Sequence, residues 1–100
     1  MVNQQRFERS LIVLPNKLID CWEPRSLDEL TEAHFVFLAG LDAEIVLLGT
    51  GALLHFPHPR LTAPIAARRM GFEVMDTHAA ARTYNILIGE GRQVAAALLL

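Results

Sequence analysis

Cysteine, positive charge and long apolar runs are all scarce in this chain of 100 residues. The single thiol, Cys21, excludes an internal disulfide and points to a reducing compartment. No stretch approaches the roughly 20 apolar residues that span a bilayer. The opening "MVNQQRFERS" lacks the apolar centre of a signal peptide. A cytoplasmic protein with no membrane partner is therefore expected. Nine Lys and Arg stand against eleven Asp and Glu, a net charge of -2. Nucleic-acid binding needs a basic stripe. The one basic doublet, Arg68-Arg69, falls in the last turn of an expected helix, where it complements the dipole. Repeats, linkers and low-complexity tracts are missing as well.

What the chain has is apolar material, 52% of its residues, enough for one folded domain with a modest stability margin. Leu11 to Leu14 reads as a strand, Pro15-Asn16 as a turn, and "KLIDCW" as a returning strand that completes a hairpin. In that strand Cys21 packs beside Trp22. Ser26 and Glu29 fit a capping box for a short turn. Thr31 then caps a helix over residues 32 to 39, which buries Phe35, Leu38 and Ala39 and ends at Gly40.

"AEIVLLG" is continuously apolar, as suits a strand covered on both faces. A helix follows from about residue 59 or 61 to Met70, ended by Gly71, with Pro64 best placed in its first turn. "FEVM" is the next strand, and Asp76-Thr77 caps a helix over about 78 to 88. Ala79, Ala80, Thr83, Ile86 and Leu87 form its expected sheet-facing stripe. "GEG" closes it before a last strand, "RQVAAALLL". Strand, helix, strand, helix and strand in that order predict an α/β domain. It has three layers, a mixed central sheet covered by helices, and an N-terminal hairpin.

Gly49-Thr50-Gly51 ends one strand, and Asp76 ends the next about 25 residues on, imitating a dinucleotide fingerprint. Leu54 stands where the third glycine belongs, and "ALLHFPHP" separates the loop from the helix. A nucleotide is therefore not expected. His55 and His58 lie in a segment with two prolines, and adding His78 and Asp76 declares no complete ligand set, so no metal is expected. Ser10 lacks the G-x-S-x-G surroundings of a nucleophile. No catalytic motif and no cofactor follow from these residues.

In an open α/β sheet, ligands bind beyond the carboxyl ends of parallel strands. Gly49 to Gly51, Asp76 and Thr77 border that edge, with Phe56 and Pro57 as an apolar lip. Arg82 and Asn85 share the flank of the following helix, and Arg82 is expected to pair with Asp76. Glu90 and Arg92 end that helix and start the last strand.

"VLLGTG", "GFEVMDTHAAARTYNIL" and "EGRQVAAALL" together resemble the Mth-domain family of unknown function, over nearly the whole chain. The resemblance implies a three-layer α/β fold with a mixed sheet and no established catalytic activity. An assembly-factor role is known for one mitochondrial member. It implies a single domain over residues 1–100 that lacks about one strand at its start. The motif positions it marks are Gly49, Thr50, Gly51, Asp76 and Thr77, then Arg82, Tyr84, Asn85, Glu90, Gly91 and Arg92.

Two functions are open at this point. One is a non-catalytic interaction or assembly domain, associating with itself or a protein partner through the sheet edge left by a short N-terminal segment or through the loop bearing Leu53, Leu54, Phe56 and Pro57. The other is a small-molecule binder or enzyme, with Asp76 as acid or base and Arg82 holding an anion. An exposed Asp76 in a deep pocket would keep the second alive.

Overall fold

The structure, a computed structural model, describes residues 9–100. Its elements are β1 (Leu11–Leu14), β2 (Lys17–Ile19), a 3₁₀ turn (Leu27–Glu29), α1 (Glu32–Ala39), β3 (Ile45–Thr50), α2 (Pro59–Ala67), β4 (Gly71–Met75), α3 (Thr77–Gly89) and β5 (Val94–Leu99). The five strands form one sheet in the order β2-β1-β5-β3-β4. β3 runs parallel to β4 and β5, while β1 is antiparallel to β2 and β5. The expected mixed sheet, hairpin and three layers are all present.

Alternation along the strands sorts side chains between the two faces. Val46, Leu48, Ala97, Leu99 and Ile12 face the layer of α1 and α2, where Phe35, Leu38 and Ile65 complete one core. Leu47, Val94, Ala96, Leu98 and Val13 face α3, whose Ala80, Ala81 and Tyr84 complete the other. β3 and β5 are buried on both faces, which explains their unbroken apolar sequence.

The local differences from expectation each have a cause. β2 stops at Ile19, because Cys21 takes a left-handed φ of 62° and turns the chain. Cys21 is exposed, and only Trp22 turns inward. Ser26 makes no side-chain cap; Glu29 Oε1 instead accepts from the amide of Arg25 at 3.1 Å. α2 starts at Pro59, so Pro64 lies beyond its first turn. The Arg60 carbonyl thereby loses its helical donor, but Arg60 is exposed to water. The buried stripe of α3 is Ala80, Ala81 and Tyr84, rotated from the expected one, and Ile86 is exposed. The expectation of a shortened first segment lies outside the described residues.

Both crossover helices end in the same motif. In α3, Gly91 at φ 80° lets its own amide bond Ile88 O at 2.9 Å and the Arg92 amide bond Leu87 O at 3.1 Å. In α2 the corresponding residue is Arg69 at φ 57°, with Met70 N to Ile65 O at 3.4 Å. Gly71 is thus the first residue of β4, not the terminator of α2. A left-handed arginine carries strain of about 1–2 kcal/mol, and a glycine there gives part of it back as unfolded-chain entropy. Arg69→Gly is therefore expected to stabilise the domain by about 0.5–1 kcal/mol. A urea titration that shows no gain in the unfolding midpoint contradicts this account.

Candidate functional site

The carboxyl ends of β3, β4 and β5 meet the N-terminus of α3. Gly49 pairs with Met75 and with Leu98 in the parallel ladders, so α3 starts directly over Gly49. A Cβ on Gly49 would lie 2.8 Å from Thr77 Cα, too close for any other residue without moving the helix. Gly51 takes φ 92°, the one position of the loop where the backbone itself requires glycine.

Thr77 closes the junction with three bonds. Its amide donates to Gly51 O at 2.9 Å, and its Oγ1 accepts from the Gly51 amide at 2.8 Å. The same hydroxyl donates to Leu99 O. Asp76 Oδ1 accepts from the Ala79 amide at 2.8 Å, the N-cap of α3. Thr50, 7% exposed, donates to Leu53 O at 2.7 Å and accepts from the His55 amide at 3.1 Å. These bonds pin the root of the loop from Gly51 to His58, while Leu53, Leu54 and Phe56 stay exposed at its crest.

The remaining motif positions do not converge on this edge. Arg82 and Asn85 are exposed on α3, and Arg82 makes no ion pair with Asp76. Tyr84 is in the α3-side core, where burial pushes its phenol above the ordinary value. Glu90 is exposed, and Arg92 lies at the opposite end of the sheet, because a 13-residue helix spans about 20 Å. There Arg92 Nε bonds Glu44 Oε1 at 2.5 Å and holds the Glu44 carboxyl below its ordinary value. The small stabilisation from this exposed pair is present above the ordinary carboxylate range and is lost on acidification.

Two clefts flank the interlocked edge, sharing Leu100. One, of about 340 Å³, has Ser26, Leu27 and Asp28 on one wall and Thr50 to Leu53 with His55 on the other. The second, of about 540 Å³, lies on the β1 side. Asp76 lines neither. Phe56 is on the crest, outside both linings. His58 Nδ1 accepts from the Arg60 amide at 3.0 Å and caps α2. That role was missed because histidine is an uncommon cap, although Pro59 after it is a helix-start signal. Among the described residues, no three His, Cys, Asp or Glu side chains gather as a metal site would require.

A family model, protein of unknown function (DUF498/DUF598), matches residues 1–99. The chain belongs to that family. A crystal structure from Bordetella parapertussis is 41% identical, with a TM-score of 0.88 over 97% of this chain and 83% of that one. The solution structure of a Bordetella pertussis protein, described as a Mth938-like domain, is 34% identical. Its TM-score is 0.82 over 97% of this chain and 77% of that one. Among curated relatives, mouse NADH dehydrogenase (ubiquinone) 1 alpha subcomplex assembly factor 3 is 34% identical over 90 residues, 88% of this chain and 48% of that protein. The chain thus spans about half the length of that relative.

Asp76→Ala is expected to destabilise by about 1 kcal/mol through loss of the cap. Thr77→Val strips partners from a buried amide and a carbonyl, and roughly 2–4 kcal/mol is expected. Thermal melts check both. A melting temperature that is unchanged or raised in Asp76→Ala would mark a solvated group strained for function, not a cap.

Proposed function

We propose that this domain of the DUF498/DUF598 family is a non-catalytic interaction module, with a role of the assembly-factor kind. The observation that carries the reading is the loop crest. Leu53, Leu54 and Phe56 are 69%, 49% and 71% exposed, on a loop whose root is pinned by Thr50 and Gly51. Three large apolar side chains held outward on a fixed base form a surface suited to another protein. The rival reading, chemistry by Asp76 and Arg82 at the strand ends, loses its geometry. Asp76 is occupied by the helix cap, and Arg82 stands apart on the flank of α3. The name of the mouse relative supports the assembly-factor direction and says nothing of which partner this chain meets.

A protein surface, either a second copy of this chain or another protein, is the occupant expected at the crest. Because Phe56 contributes little to the core, Phe56→Ser should weaken self-association in sedimentation equilibrium and leave the thermal melt within about 0.5 kcal/mol of the parent. A parent that stays monomeric at high concentration, with a variant that unfolds, would assign Phe56 to the core and end the proposal.

A further inference from the structure

α1 is apolar on its outer side as well as on the side that meets the sheet. Phe35, Leu38 and Ala39 enter the core, while Val36 and Phe37, 56% and 47% exposed, stand on the outer side with Ala33. A helix that is apolar all round is normally covered all round. α2 packs alongside α1 and adds Ala63, Ala66 and Ala67, all exposed. These six residues give the outer surface of the α1 and α2 layer an uncharged middle.

The two helices run the same way. The turn before α1 lines one cleft with Thr50, at the carboxyl end of β3, and a short loop joins Ala39 to the start of β3 at Ile45. α2 likewise begins beyond Thr50 and ends just before β4, which is parallel to β3. Charges mark the four helix ends. Glu32 starts α1 and Asp42 follows it, while Arg60 lies in the first turn of α2 and Arg68 at its C-cap. All four are exposed, and none makes an ion pair among the described residues.

This pattern is self-complementary in one way only. Two copies that meet face to face through this layer are related by a two-fold axis lying in the interface. With the axis along the helices, α1 of one copy lies on α2 of the other, in the same direction. Glu32 then meets Arg60 of the second copy, Asp42 meets Arg68 of the second copy, and each pair occurs twice. An axis across the helices stacks α1 on α1 instead, setting Glu32 against Asp42 and Arg60 against Arg68. Only the first arrangement joins opposite charges around the apolar middle.

We propose that this chain forms a two-fold dimer through the outer face of α1 and α2, with α1 of each copy on α2 of the other. Val36 and Phe37 pack over the alanines of the second copy, whose small side chains let the helices approach closely. The interface shares no residue with the loop crest and goes beyond the reading given for it.

Sedimentation equilibrium at up to about 1 mM should show the dimer. Ala66→Glu and, separately, Ala63→Glu place a charge in the apolar middle, at exposed helical positions where glutamate costs little folding stability. Each should raise the dimer dissociation constant at least about tenfold. Glu32→Arg alone and Arg60→Glu alone should each weaken the dimer about tenfold, and the double variant Glu32→Arg/Arg60→Glu should bring it back near the parent. A dimer strengthened by Glu32→Arg puts the axis across the helices and overturns the proposal. So does a parent that stays monomeric, or a dimer indifferent to both alanine variants. Association lost in Phe56→Ser but kept in Ala66→Glu belongs to the crest and overturns this proposal alone. The converse supports it and removes self-association from the crest.

Discussion

The hydroxyl of Thr77 is the point on which the upper edge of the sheet depends. It accepts from Gly51 beyond β3 and donates to Leu99 at the end of β5, from the first residue of the helix that follows β4. One side chain thus fixes the relative height of three parallel strands. It also seats the N-terminus of α3 directly against Gly49, where no Cβ fits. The three elements that meet here are distant in sequence, so their junction must be specified by a polar contact as well as by apolar packing, which is less directional.

The same contacts set this edge apart from the dinucleotide-binding loop whose spacing it imitates. A glycine-rich loop at a strand end serves phosphate when the amides of a helix start point at the empty space above it. Here one loop amide is bonded to Thr77, and the Asp76 carboxylate takes up a first-turn amide of α3. The polar groups of the edge are spent on one another. What the junction leaves over is the segment beyond Gly51, whose root is fixed and whose apolar crest is not covered.

The same economy runs along α3. Its small residues Ala80 and Ala81 let the helix lie close on β3 and β5, and Tyr84 fills the wider gap further along. Gly91 then reverses the chain, placing Arg92 beside Glu44 at the foot of β3. A run of neighbouring motif positions is therefore distributed over both ends of the sheet, each end being held by its own local contacts.

Strand, helix and layer order were legible in the sequence, because continuous apolar runs mark doubly covered strands and Asp76-Thr77 announces a helix start. The requirement for small residues at Gly49 and Gly51 was visible as a turn, but not its reason, since the atom that crowds Gly49 belongs to Thr77. The true stripe of α3 differed from the expected one because Tyr84 faces the core, and helix periodicity alone does not say which flank meets a sheet. The neighbours of Cys21 were equally hidden. A left-handed backbone at a non-glycine residue leaves no mark in sequence, so only the tertiary structure shows the thiol turned outward beside Arg9 while Trp22 enters the core.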